Sequence, residues 1–427
     1  MKKTIFIIGA GMSAECGAPV IRDFLKSEFL EWVPSKNRDP IKNFLNSDYF
    51  SKDCVTIEDA LKKIDTEIKN GSSASKYSIK QLKKIRKILV KYIIEILSIC
   101  GDNLMSELRS TPSDQPYSVL SSNEKDRDNK FQQKIVDQLK RELEHFSGVK
   151  KKTPVIGINA KKWIETYSSF LFLMKPNDVV INLNYDQFFE LALLDLPLDT
   201  TVDFGVDFFE LSADEDVLCH GILSKITRPP QPSDVRKISL FKIHGSLNWG
   251  ICTECESLIS TVRTPIIRVK KYIRDLQKED TDFKEKNLCC EKFSIEPFIV
   301  IPTIYSRRGY DNNYLKEISK AAIFEISTAD SLVFLGYSFF NSDKFVQNLF
   351  KKAKQLRKGK PWNHVYVINR SITKIQDNYL PIFKNSEFIR STTLKYIQEK
   401  LKTINPKKIS INNCIMKRKP LKIVKIK

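Results

Sequence analysis

Long apolar runs are missing from this 427-residue sequence: none is long enough to span a bilayer, and no internal repeat is apparent. A membrane-spanning helix is therefore not expected. The nine cysteines (16, 54, 100, 219, 252, 255, 289, 290 and 414) are scattered and odd in number, unlike the dense framework of a small secreted domain. A reducing cytoplasm is the expected compartment. The segment from Met1 through Lys2, Lys3 and Thr4 to Ile8 has a basic start and an apolar run, but the run ends at Gly9 and Glu15 spoils a small-residue cleavage site before Cys16. A signal peptide is not expected. Concentrated arginine is missing too. The net charge of +20 comes mostly from lysine spread along the chain, which favours a solvated exterior over direct nucleic-acid binding, although such a charge also attracts acidic partners and anionic cofactors.

What is present is a hydrophobic fraction of 41%, enough for a sizeable core, and a set of short continuous runs rich in Ile, Val and Phe. Such runs mark strands buried on both faces of a parallel sheet. Five are evident, and each ends in polar or glycine residues: Thr4 to Ile8, then Gly9-Ala10-Gly11-Met12-Ser13; Val179 to Leu183, then Asn184-Tyr185-Asp186; Ile238 to Ile243, then His244-Gly245-Ser246; Leu332 to Leu335, then Gly336-Tyr337-Ser338; and His364 to Ile368, then Asn369-Arg370. In an open α/β sheet ligands sit beyond the carboxyl ends of the strands, so five such ends converge on one crevice.

Between strands, helical spacing recurs at Ile57, Leu61, Ile64 and Ile68 behind a Thr56 cap, at Leu82, Ile85, Leu89, Tyr92, Ile93 and Ile96, and at Phe131, Ile135, Leu139, Leu143 and Phe146. Thr111 to Asn129 reads as a polar loop. The expected fold is α/β, a Rossmann-like parallel sheet flanked by helices over residues 1–400. It carries a helical insertion at 40–150, a small cysteine-containing lobe at 250–297 and a basic tail at 401–427.

Gly9, Gly11 and Ala14 match the dinucleotide fingerprint directly after a strand, where backbone amides and the Ser13 hydroxyl meet a pyrophosphate; a tight turn without ligand has the same pattern. Asn184 offers a donor and an acceptor at one point, suited to a carboxamide or ribose hydroxyls, while Asp186 is also placed to cap a helix from Phe188 to Leu194. His244, one of four histidines, stands at a strand end beside these residues and is the candidate general base; His145, His220 and His364 lack such surroundings. Cys252 and Cys255 form a CxxC, with Cys289 and Cys290 adjacent further on. Four thiolates make a tetrahedral zinc site, yet adjacent cysteines point apart, so a zinc lobe and a lobe without metal both stay open.

As an ordered set these residues resemble the sirtuin superfamily. Gly9-Ala10-Gly11-Met12-Ser13 with Gly17-Ala18-Pro19 is similar to its first motif, Asn184-Tyr185-Asp186 to its asparagine and aspartate motif, and His244-Gly245 to its histidine motif. The first CxxC follows that histidine as in sirtuin zinc lobes, and Gly336-Tyr337-Ser338 with Asn369 resemble late nucleotide-binding positions. The resemblance covers residues 1–30 and 150–400. It implies NAD as substrate, with Gly9, Ala10, Gly11, Ser13, Gly336, Ser338 and Asn369 binding it and Asn184, His244 and Asp186 catalytic.

The departures point to one branch. Protein-deacylating sirtuins carry Asp-Phe-Arg, a Gln before the asparagine and a Phe-Gly-Glu strand, where this chain has Val20-Ile21-Arg22, Leu183 and Ile301-Pro302-Thr303. Proline cannot donate to a ladder with an incoming peptide. The chain is instead similar to the prokaryotic sirtuin-like branch, through Gly245-Ser246-Leu247-Asn248-Trp249 and the Ile-Pro-Thr segment. That branch implies NAD hydrolysis in defence against bacteriophage. Such an enzyme must be silent until triggered, which implies a homo-oligomer or a regulatory partner, such as a ring-forming ATPase or an Argonaute-type protein. An NAD-dependent deacylase or ADP-ribosyltransferase, and a non-catalytic nucleotide sensor, are the competing functions.

Overall fold

The computed structural model describes residues 2–20, 24, 39, 42–44, 56–71, 77–110, 158–175, 177–195, 200–207, 209–211, 223–225, 236–261, 266, 290, 294–299, 312–339 and 343–404. The helix expected over Phe131 to Phe146, the Thr111–Asn129 loop, Ile301-Pro302-Thr303, Cys289, His145, His220 and the tail beyond residue 404 lie outside them.

The first strand, β1 (Thr4–Ile8), shows why the apolar runs are continuous. Ile5 and Ile7 point into one core with Val179, Ile181 and Phe334, while Phe6 and Ile8 point into another with Val180, Leu240 and Val333. Both faces are covered, so no polar alternation survives. Seven parallel strands make this sheet, in the order β12-β11-β10-β1-β2-β6-β3. They are β2 (Val179–Asn182), β3 (Thr200–Asp203), β6 (Arg236–Lys242), β10 (Ser331–Leu335), β11 (His364–Asn369) and β12 (Ser386–Arg390) beside β1. The five expected strands are all present. β3 and β12 were not anticipated, because edge strands such as β12, half-buried along its length, lack the all-apolar signature.

Chain order explains where a site must lie. From β1 the chain steps to β2 and β6 on one side, then returns to β10, β11 and β12 on the other. The reversal leaves a switch point between β1 and β10, the place beyond the strand ends where doubly wound sheets take their ligands.

One face is covered by α4 (Ala160–Leu173), α5 (Phe188–Asp195) and α9 (Thr393–Ile404), through Trp163, Tyr167, Phe170, Phe188 and Ile397. The other carries α6 (Asn313–Thr328), α7 (Lys344–Leu356) and α8 (Ile372–Tyr379), through Ile318, Ala322, Phe350 and Ile375. The first helix, α1 (Ala10–Glu15), ends on Glu15, whose buried carboxylate accepts from Thr393 N at 2.7 Å and Leu394 N at 3.2 Å. An anion at the start of α9 answers the orphan amides there and ties the first helix to the last.

Between β1 and β2 lie α2 (Ile57–Asn70) and α3 (Ile79–Ser110), which share a third apolar cluster with Tyr185 and Leu247. Thr56 caps α2 in a reciprocal box with Asp59, as its sequence position suggested. A second sheet, in the order β5-β4-β8-β7-β9, was not legible beforehand. Its strands are β4 (Phe209–Leu211), β5 (Leu223–Lys225), β7 (Gly245–Cys252), β8 (Leu258–Thr261) and β9 (Ile295–Ile299), so the expected cysteine lobe is part of a sheet that also recruits residues from before β6. No described helix is long and apolar enough to cross a membrane.

Candidate active site

Glycines build the switch point. A methyl group on Gly11 would sit 2.7 Å from Gly336 O, and one on Gly336, where φ is +63°, would sit 2.6 Å from Met12 N. The first βα turn and the turn after β10 therefore pack backbone against backbone, which side chains would forbid. The amides were expected to face a pyrophosphate. Those of Gly9 and Gly11 instead donate to Leu335 O at 3.0 Å and Gly336 O at 2.9 Å. Ala10, at the start of α1, is exposed.

Ser13 likewise serves the protein. Its buried hydroxyl lies 3.2 Å from the Tyr167 hydroxyl, accepts from Asn184 Nδ2 at 3.0 Å and hydrogen-bonds the Asp186 carboxyl. Asn184 Nδ2 also donates to Gly9 O at 3.1 Å, and its backbone N–H donates to Asn182 Oδ1 at 2.9 Å. The amide is thus oriented by its nitrogen, and its Oδ1 accepts no hydrogen bond among the described residues. An acceptor in a fixed direction is what a water or a ribose hydroxyl requires.

Asp186 is fully enclosed. Burial pushes its carboxyl above the usual range, opposed by the Lys242 ammonium, the Ser13 hydroxyl and the Phe188 amide, which donates to Asp186 Oδ1 at 3.1 Å. The helix-capping duty foreseen for Asp186 is therefore present, and its link to Asn184 runs through Ser13. Lys242, on β6 and 0% exposed, donates to Asp186 O at 2.6 Å and pairs with Glu190 Oε1 at 2.7 Å, which also accepts from Ser246 Oγ at 3.0 Å. Lysine in an apolar run reads as an interruption, and nothing in the sequence pairs it with a glutamate on α5.

His244 occupies the joint where the chain leaves the parallel sheet at β6 and enters the second sheet at β7. Gly245 has φ +76°, and a methyl group there would lie 2.2 Å from Phe298 O. Glycine at this point admits β9 rather than a ligand. The buried imidazole has Nδ1 3.2 Å from Leu183 O and Nε2 3.4 Å from Asp343 Oδ2, with the Tyr185 ring 6.0 Å away. Asp343 caps α7, its Oδ1 accepting from Val346 N at 3.2 Å, while its Oδ2 accepts from the Tyr337 hydroxyl at 2.9 Å. Asp343 was missed in the sequence. Its cap position before an amphipathic helix was readable, but its approach to His244 depends on how α7 packs.

Gly336 N donates to Ile368 O at 3.0 Å, and Asn369 Nδ2 donates to Tyr337 O at 3.5 Å, which joins the ends of β10 and β11. Ser338 belongs to the same turn through its carbonyl, which accepts from Asn378 Nδ2 at 2.9 Å. The ends of β1, β2 and β10 thus meet through direct contacts among Gly9, Gly11, Ser13, Asn184 and Gly336, and His244 and Asn369 join them at Leu183 O and Tyr337 O.

The cysteines form a separate cluster. The sulfurs of Cys252, Cys255 and Cys290 lie within 4.8 Å of one another, with Cys252 and Cys290 at 3.5 Å. Burial raises the Cys252 thiol, but amides of Cys255, Ser294 and Glu254 and the Cys290 thiol bring it down to about 6. Amides turned toward a sulfur stabilise a thiolate, the form that binds metal, so the three residues fit zinc in donor type and spacing.

A doubly wound parallel sheet with a glycine-packed switch point, and a buried asparagine and histidine beside it, defines an α/β protein of the Rossmann-like class. The family model described as the SIR2-like domain matches residues 178–391, and the chain belongs to that family. Membership implies an NAD-dependent enzyme, a deacylase or a related processor of NAD. Among solved structures, the chain is similar to Sir2Tm bound to a propionylated peptide, with 12% identity and a TM-score of 0.34 over 94% of this chain and 93% of that one. It is also similar to a Sir2–p53 peptide–NAD+ structure, with 12% identity and a TM-score of 0.33 over 95% and 94%. No curated protein matches it in sequence.

Proposed function

We propose that this protein is an NAD+ hydrolase that cleaves the nicotinamide–ribose bond to give nicotinamide and ADP-ribose, and that it depletes NAD as a regulated antiphage effector. The observation that carries this is the fixed amide of Asn184, hydrogen-bonded to Gly9 O and Ser13 Oγ, beside His244 at the neighbouring strand end. Departure of nicotinamide leaves an oxocarbenium-like centre at the ribose, which water must reach from a fixed direction. Asn184 Oδ1 orients that water, and His244 takes its proton through a ribose hydroxyl as the new C–O bond forms. Asp186 holds Asn184 through Ser13. The turn from Gly9 to Ser13, with Ala10 exposed, borders the pyrophosphate; Gly336, Ser338 and Asn369 border the adenosine half.

Zinc, held by Cys252, Cys255 and Cys290, would tie β7 to the segment before β9 and take no part in the cleavage. Because free NAD hydrolysis would be lethal to the host cell, activity is gated by self-association or by a partner protein, in the cytoplasm where NAD resides.

The test is product analysis. Incubation of the pure protein with NAD, alone and with DNA, nucleotides or candidate partner proteins, is expected to give nicotinamide and free ADP-ribose without any acceptor. Asn184→Ala and His244→Ala should each lower the rate by about 10²-fold or more. Strict dependence on an acylated peptide would show a deacylase instead. Binding of NAD without turnover under every condition would show a sensor.

A further inference from the structure

The two nitrogens of His244 have incompatible neighbours for a neutral ring. Leu183 O, 3.2 Å from Nδ1, is a carbonyl and only accepts, so Nδ1 carries a proton. Nε2 then faces Asp343 Oδ2 at 3.4 Å, and in a neutral ring two acceptors would confront each other. Without substrate the contact is satisfied only by a ring protonated on both nitrogens. A general base, however, must offer a free Nε2 lone pair. Some group with hydrogens to donate therefore has to come between or beside these atoms before catalysis, and it has to satisfy two adjacent acceptors together.

Asp343 cannot turn away to solve this. Its Oδ1 holds the Val346 amide at the start of α7, and its Oδ2 holds the Tyr337 hydroxyl. Both Asp343 and His244 are more than nine-tenths buried, at 5% and 3% exposed, so unsatisfied acceptors are costly there. Two fixed acceptors a few ångströms apart match two donors on neighbouring atoms, and vicinal cis hydroxyls are that group. Carboxylates that take ribose hydroxyls are an established device of doubly wound folds.

We propose that Asp343 is a substrate-binding residue that shares the nicotinamide ribose diol with His244: one hydroxyl donates to His244 Nε2, its neighbour to Asp343 Oδ2. The proposal rests on NAD being the substrate. The diol gives each acceptor a hydroxyl proton, so the His244 ring is satisfied without a proton on Nε2, and the presence of both hydroxyls becomes a condition for a working base. A nucleotide lacking either hydroxyl leaves one buried acceptor facing nothing, so Asp343 sets specificity for an intact ribose.

Calorimetric titration with ADP-ribose tests this, since that product keeps the diol and is not consumed. The unsubstituted protein should bind ADP-ribose, and an analogue lacking the 2- or 3-hydroxyl of the terminal ribose about tenfold or more weaker for at least one position. Asp343→Asn and Asp343→Ser both retain a good helix cap. Each should bind ADP-ribose about tenfold weaker than the unsubstituted protein and discriminate against the deoxy analogue less than threefold, while circular dichroism shows the fold retained. A deoxy penalty that persists in full in both variants, or that is absent from the unsubstituted protein, overturns the shared diol and leaves NAD as the substrate. Failure of the unsubstituted protein to bind ADP-ribose or NAD overturns the NAD reading and the proposal together.

Discussion

Replacing Lys242 by Met separates charge from volume at the most enclosed cation described. Lys242 is 0% exposed, its Nζ is 2.7 Å from Glu190 Oε1 and 2.6 Å from Asp186 O, and its charge is the largest influence holding the raised Asp186 carboxyl down. Methionine keeps most of the side-chain volume but strands Glu190, which retains the Ser246 hydroxyl at 3.0 Å. Breaking a buried pair from one side costs about 3–5 kcal/mol, because the remaining charge is uncompensated. Changing both partners, Lys242→Met with Glu190→Leu, removes the stranded charge and should recover most of that loss. Urea unfolding of the four proteins at pH 7 gives the cycle. The pH dependence has a definite sign. Loss of Lys242 lets the folded-state pKa of Asp186 rise further above its unfolded value, so Asp186 then favours the folded state below the unfolded carboxylate pKa, and that contribution is lost as pH rises through the folded one. The gap between Lys242→Met and the unsubstituted protein should therefore widen from acid to neutral pH. A single-substitution cost below about 1 kcal/mol, or a gap that narrows with rising pH, refutes a tightly enclosed ion pair beneath the site.

Gly336→Ala forces a side chain into positive φ and 2.6 Å from Met12 N; thermal melting should show a loss of at least about 2 kcal/mol, and a protein of unchanged stability would mean that the two turns do not touch. Purified protein should contain one zinc per chain by atomic absorption, and Cys252→Ser should abolish it while leaving Asn184 and His244 in place, so that metal loss appears first as a lower melting temperature.

The sequence made the parallel sheet legible because its inner strands are buried on both faces. Residues 5–8 and 332–335 read as unbroken apolar runs, and the Asn184 and His244 positions follow from where such runs end. Edge strand β12 escaped because it is half-buried, and β7 and β8, although buried, escaped because Gly245–Cys252 and Leu258–Thr261 mix polar with apolar residues as loops do. The glycines were recognised, but their duty differs: Gly11 and Gly336 admit each other's backbone, and Gly245 admits β9. Lys242 with Glu190, and His244 with Asp343, are separated by 52 and 99 positions in sequence, and nothing local couples them.

What the sequence determined by itself is the class of fold and the side chains that end its central strands, because apolar continuity and strand-end chemistry are local properties of the chain. Which acceptor faces His244 Nε2, which amides of the first turn are already engaged, and which sulfurs meet were decided by tertiary structure alone. Each depends on the packing of one element against another, and hydrogen-bond and ion-pair energies fall off over ångströms that residue spacing does not encode.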